Sequence, residues 1–150
     1  MAQQAFAAAQ GILRAPGGQG GIGVSPISYD PNTGYSYVAA IDRPQIATLV
    51  EIPAMGGAPA MQYVKVAAVP ASDAWGTLTA LDVRNGGRVL WQTKTPQPLV
   101  GGTLATGGGL VFTGEPNGRF SAYDAATGNM LWSYQTGANV GAPPMSYAVD

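Results

Sequence analysis

From Ser25 onward, short runs of β-branched and aromatic residues alternate with turn chemistry: Ile27-Ser28-Tyr29, then Asp30-Pro31-Asn32-Thr33-Gly34, then Tyr35-Ser36-Tyr37-Val38. Apolar and polar positions interleave within each run, and Pro, Asn and Gly separate the runs, which predicts a hairpin. Beyond Trp75 the pattern repeats at a fixed distance. Gly76-Thr77-Leu78-Thr79-Ala80-Leu81-Asp82 is echoed by Gly118-Arg119-Phe120-Ser121-Ala122-Tyr123-Asp124, and Val89-Leu90-Trp91 by Met130-Leu131-Trp132. The offset is 42 residues at Gly118 and 41 at Trp132, because Arg84-Asn85-Gly86-Gly87-Arg88 gives the first copy one extra turn residue. A period near 40 built from short strands marks β-propeller blades.

The repeated residues have physical roles in such a blade. Asp before the turn accepts hydrogen bonds from its backbone while Gly takes the positive φ, as Asp124 and Thr127-Gly128 would do. Ala80 and Ala122 leave room for a neighbour, and Trp91 and Trp132 are wide enough to fill the gap between adjacent twisted sheets. Asp82 and Asp124 are therefore turn residues, since a general acid–base pair would have to converge in one pocket. One blade is expected from Ser25–Asp30, Tyr35–Ala40, Gly76–Asp82 and Arg88–Thr93. The next comprises Gly102–Thr106, Leu110–Gly114, Arg119–Asp124 and Met130–Gln135, with Met145–Val149 opening a third. The fold class is all-β: two antiparallel four-stranded blades, too few to close a ring of four to eight.

The remaining stretches punctuate this frame. Ala2–Leu13 is rich in helix formers and stops at Gly11, so residues 1–16 form an N-terminal leader or short helix. Residues 17–95 hold the first blade, with a Pro- and Met-bearing excursion over 42–74 in which Gln62–Val69 is the strand candidate; residues 96–150 hold the rest. Gly18, Gly20 and Gly23 match G-x-G-x-x-G, but Pro16 precedes them and Ser25-Pro26 follows. A dinucleotide loop needs a strand before and a helix after, so the cluster reads as a loop.

Composition narrows the chemistry. Among 150 residues there is neither His nor Cys, which excludes Ser-His-Asp and Cys-His nucleophilic systems, disulfides, iron–sulfur clusters and thiol redox within this chain. A net charge of −1 with 10% charged residues leaves no basic stripe for nucleic acid and no polybasic membrane patch. Met1-Ala2-Gln3-Gln4 lacks the charged n-region of a signal peptide. The 22 Gly and 12 Pro approach the low-complexity range, yet 46% hydrophobic residues with three Trp argue for a packed core.

Trp75-Gly76-Thr77-Leu78-Thr79-Ala80-Leu81-Asp82, the stretch Lys94–Thr106, Gly109-Leu110-Val111-Phe112-Thr113-Gly114, Ala122–Gly128 and Ala142–Tyr147 closely resemble the C-terminal blades of quinoprotein alcohol dehydrogenases. The match runs over residues 17–150. The resemblance implies an eight-bladed propeller, usually periplasmic, that oxidises alcohols with pyrroloquinoline quinone (PQQ) and a calcium or lanthanide ion. It further implies an Asp base, hydride transfer to the quinone and electron exit through a cytochrome c. The catalytic Asp, the metal-binding Glu and Asn and the adjacent-cysteine ring of that family lie in blades outside this sequence, so no catalytic or metal residue is assigned. Many members carry an Asn-Trp pair facing the quinone where this chain has Gly23-Val24, and Trp or Asn where it has Val100. The residues left as cofactor contacts are Val100, Gly101 and Gly102, with Trp75 on the same rim. Partners implied are the remaining blades or other copies of the chain, in a periplasmic or extracellular setting.

Two single residues carry bland readings as well. Trp75, outside the repeat, is a rim-packing residue before it is a ligand contact, and Glu115 in the turn Gly114-Glu115-Pro116-Asn117-Gly118 is expected to be solvated. A competing reading, from another class, is a self-assembling structural module whose blades close into a ring or continue as a filament. A small carbohydrate- or ligand-binding β module would rest on Tyr29, Tyr35 and Tyr63 as exposed aromatics.

Overall fold

The structure, a computed structural model, describes residues 11–23, 25–69 and 74–149. Its strands are β1 (Ile12–Arg14), β2 (Ser28–Asp30), β3 (Tyr35–Asp42), β4 (Gln45–Ile52), β5 (Met61–Ala68), β6 (Trp75–Asp82), β7 (Arg88–Thr95), β8 (Thr103–Ala105), β9 (Leu110–Gly114), β10 (Arg119–Asp124) and β11 (Met130–Gln135). All pairings are antiparallel. Two four-stranded sheets, ordered β2-β3-β6-β7 and β11-β10-β9-β8, are the two blades. No helix among the described residues is long and apolar enough to cross a membrane.

The repeat is structural down to its irregularities. The register of β6 against β7 shifts between Ala80 and Leu81, and that of β10 against β11 between Ala122 and Tyr123, at equivalent positions. Asp124 holds its turn by accepting from the amides of Ala126 (3.1 Å) and Thr127 (2.8 Å) and from the Thr127 hydroxyl (2.8 Å). Asp82 caps a single 3₁₀ turn, Val83–Asn85, accepting from the Asn85 amide at 3.2 Å, and Gly86 then takes φ +73°. Both aspartates are thus turn residues, as their local chemistry dictates.

The core lies between the sheets. Tyr37, Ala39, Leu78 and Ala80 of the first blade, Leu99 of the connection, and Val111 and Tyr123 of the second blade form one buried cluster. Small alanines opposite large rings let the two twisted surfaces interdigitate at close-packed density. At one end the Trp91 indole donates to the Ala125 carbonyl at 3.1 Å, and the Tyr37 hydroxyl donates to the same carbonyl at 3.2 Å. The Thr93 hydroxyl donates to the Gly128 carbonyl at 2.8 Å. The turn of the second blade is therefore fastened to the face of the first.

Trp132, the repeat partner of Trp91, is 48% exposed. It edges against Phe120 (ring centroids 6.2 Å), which stacks on Phe112 (5.7 Å), while Tyr134 stacks on Trp132 (6.2 Å). This aromatic ladder faces outward, in the orientation that Tyr37, Ala80 and Trp91 present to the second blade.

Several expectations are corrected. Within the excursion, Gln45–Ile52 is a strand in its own right; with β5 and β1 it makes a third sheet, β1-β4-β5. Its run Ile46-Ala47-Thr48-Leu49-Val50 is β-prone, but Pro44 and Pro53 at its ends read as loop signals. The helix proposed for Ala2–Leu13 falls mostly outside the described residues; its end, Ile12 and Leu13, is strand β1, because Gly11 at φ +74° turns the chain onto β4. Met145–Val149 is exposed and irregular and forms no strand. Of the three tyrosines taken as an exposed set, Tyr35 is packed against the core cluster, while Tyr29 and Tyr63 are exposed.

Candidate functional site

The innermost strands of the two blades, β2 and β8, are stitched side by side. The Thr103 hydroxyl accepts from the Ser28 amide (2.9 Å) and donates to the Tyr37 carbonyl (2.9 Å), and the Thr103 amide donates to the Pro26 carbonyl at 3.1 Å. Just before Thr103, the Ser25 hydroxyl donates to the Val100 carbonyl. This places Val100 against the glycine-rich loop, in a cleft of about 270 Å³ lined by Gln19, Gly23, Ser25, Ile41 and Val100.

The predicted contacts separate into two sets. Val100 opens onto the cleft. Gly101 and Gly102 are buried and are glycines for packing reasons: a Cβ at Gly101 would lie 2.8 Å from the Val140 carbonyl oxygen, and one at Gly102, at φ +77°, 2.8 Å from the Pro26 carbonyl oxygen. The Gly102 carbonyl is taken by the Thr113 hydroxyl at 2.8 Å. Trp75 does not line the cleft. It starts β6 opposite Asp42, and Lys94 Nζ stands 4.1 Å from its ring centroid, a cation–π contact. Gly76 beside it is overlain by the connection, since a Cβ there would meet the Gln97 carbonyl at 2.6 Å and the Leu99 amide at 2.7 Å.

Glu115, expected in solvent, is 1% exposed. Its Oε1 accepts from Arg119 Nε at 2.7 Å and pairs with a second guanidinium nitrogen at 2.6 Å. The Val140 amide donates to its carbonyl at 3.2 Å, so the returning chain closes over this turn. The i,i+4 spacing of Glu115 and Arg119 was the available signal, but burial depended on residues 136–140, which no local pattern connects to this turn. Ser25, Ile41 and Gln19 were likewise invisible as a set, because three separate segments bring them together.

The electrostatics of the described residues are those of a scaffold. No three Asp, Glu, His or Cys side chains converge to hold a metal ion. Hydrogen bonds from the Asn32 amide and the Thr33 hydroxyl hold the Asp30 carboxyl below its ordinary range, and the Thr127 hydroxyl and amide do the same for Asp124. Both serve turns. Burial pushes the Tyr37 and Tyr123 hydroxyls up, keeping both protonated. Pyrroloquinoline quinone, the cofactor implied by the resemblance, is a planar tricarboxylic acid. The cleft offers it no cation, and its one hydroxyl is spent on Val100. Among the described residues these offer no charge to balance the carboxylates; they supply an apolar wall from Ile41 and Val100 and one carboxamide, Gln19.

With this geometry in hand, the comparisons are consistent. The family "PQQ: Glucose/ethanol/alcohol dehydrogenase, beta-propeller domain" matches residues 53–150. The quinoprotein ethanol dehydrogenase of Pseudomonas aeruginosa is 35% identical over 131 residues, covering 87% of this chain and 21% of that protein. The quinohemoprotein alcohol dehydrogenase of Comamonas testosteroni is 34% identical over 147 residues, covering 90% and 20%. Among solved structures, quinohemoprotein alcohol dehydrogenase ADHIIG from Pseudomonas putida HK5 superposes with a TM-score of 0.77 at 28% identity, over 98% of this chain and 23% of that one. A europium-containing methanol dehydrogenase gives 0.69 at 27%, over 89% and 24%. The chain spans about a fifth of the length of the curated relatives that it matches along most of its own. Two repeated blades, a tryptophan docked between them and a family match over most of the sequence lead to one assignment: this chain belongs to the PQQ-dependent alcohol dehydrogenase β-propeller family.

Proposed function

We propose that the chain serves as two adjoining blades of a PQQ-dependent alcohol-oxidising propeller, forming part of the wall of a site whose reactive groups come from other blades. The observation that carries this reading is the cleft at Val100: it sits where the innermost strands meet, yet contains no acid, base or cation. In the assembled ring, Val100 would present an apolar surface to the quinone, Gly101 and Gly102 would hold it there by packing under the Val140 and Pro26 carbonyls, and Trp75 would stiffen the same rim. The calcium or lanthanide ion and the catalytic carboxylate would be held elsewhere, with a cytochrome c as electron acceptor and a periplasmic setting, as in the family.

The test is direct. The 150-residue chain supplied with PQQ, Ca²⁺ or a lanthanide ion, an alcohol and an artificial electron acceptor should give no alcohol-dependent dye reduction. Turnover above the protein-free control would overturn the proposal, since it would require catalytic groups that these blades lack.

A further inference from the structure

Strand β5 pairs with β4 on one side only, and among the described residues nothing pairs with its other edge. Natural edges are protected by shortness, proline, bulges or several charges. β5 has eight residues in unbroken register, no proline and one charge, Lys65. Met61, Tyr63, Val64 and Val66 along it are 61%, 47%, 42% and 43% exposed. We propose that this edge is a self-association site, at which β5 pairs antiparallel with β5 of a second copy and joins two three-stranded sheets into one of six strands.

The sequence of the edge selects the partner and the register. In an antiparallel ladder the outward N–H and C=O groups belong to alternate residues, so a strand meets its own copy only in registers whose facing residue numbers sum to an even value. A sum of 130 sets Lys65 against Lys65 of the second copy, and like charges directly opposite are destabilising. Sums of 126 and 132 pair fewer residues. A sum of 128 pairs residues 61 to 67 completely, with the two-fold axis at Val64. Val64 then meets Val64, Met61 meets Ala67, Gln62 meets Val66, and each Lys65 ammonium lies beside a Tyr63 ring, a favourable cation–π partner. The single charge thus excludes one of the two longest registers and is satisfied in the other. This site lies in the excursion, apart from the blade faces, and does not rest on the proposed catalytic role.

Light scattering and sedimentation equilibrium on the 150-residue chain read the outcome. The expected result is a monomer–dimer equilibrium that shifts to dimer as concentration rises. Val64→Lys and Val64→Glu, each placing like charges at the axis, should raise the dissociation constant at least tenfold, and an equimolar mixture of the two should regain the dimer. Because the chain has no native cysteine, Val64→Cys should cross-link on mild oxidation faster than Val66→Cys, whose expected neighbour is residue 62. Trp132→Ala should leave the mass unchanged. A monomeric wild type, a dimer dissolved by Trp132→Ala, equal cross-linking at 64 and 66, or charge variants that do not complement would each overturn the proposal.

Discussion

Trp91 and Trp132 are equivalent in the sequence repeat and unequal in the structure, and the difference can be given a size. Replacing Trp91 by Ala removes a ring packed between the blades against Tyr37, at 6.0 Å between centroids, together with the indole hydrogen bond to Ala125. Core Trp→Ala changes cost about 3–5 kcal/mol. The Ala125 carbonyl keeps its bond from Tyr37, which spares the penalty of an orphaned acceptor and places the cost near 4 kcal/mol. Trp132 has 48% of its surface in water, and its indole donates to no acceptor among the described residues. About half of the apolar area is lost and no hydrogen bond, so Trp132→Ala should cost about 2 kcal/mol. Urea denaturation followed by far-ultraviolet circular dichroism separates the two. With a slope of about 2 kcal/mol/M, the midpoints of the variants should differ by about 1 M. Equal midpoints would refute the reasoning, because they would mean that the second blade does not cover the first in solution.

Two further outcomes are expected from the same measurement. Arg119→Met strands a buried carboxylate and should cost about 3 kcal/mol, whereas Glu115→Leu combined with Arg119→Met should come within about 1 kcal/mol of wild type; a double variant worse than the single one would contradict the burial of this pair. Asp124 and Asp30 have lowered pKa values in the folded chain, so their stabilising effect is present above about pH 4, the unfolded range, and is lost as pH falls through the lowered folded values. Asp30→Asn with Asp124→Asn should therefore flatten the stability profile below pH 4, leaving the plateau near neutrality as the reference, and an unchanged acid limb would exclude these turns as its source.

What was readable in the sequence was what local chemistry decides. Asp124, Thr127 and Gly128 make a turn from contacts within a few residues, and Ala122 with Trp132 repeats Ala80 with Trp91 because each blade solves the same packing problem. β4 was missed for the opposite reason: its run is bounded by prolines and neither face alternates cleanly, so only pairing with β5 and β1 defines it. The cleft was half visible. Val100 was singled out, but Ile41 and Gln19 reach it through the fold. Glu115 was misjudged because its burial depends on the chain returning at Val140, and the carbonyls that crowd Gly101 and Gly102, those of Val140 and Pro26, come from segments that no local pattern connects to them.

The absent side chain at Gly101 has a wider consequence. The segment that leaves β11 passes with the Val140 oxygen 2.8 Å from where a Cβ would stand. A methyl group there would crowd the Val140 and Ala142 carbonyl oxygens, 2.8 and 3.1 Å from its carbon, and lift this segment off the Glu115 turn, whose carbonyl takes the Val140 amide. The seating of this return segment on the second blade is in this sense written in a position that holds only a hydrogen atom.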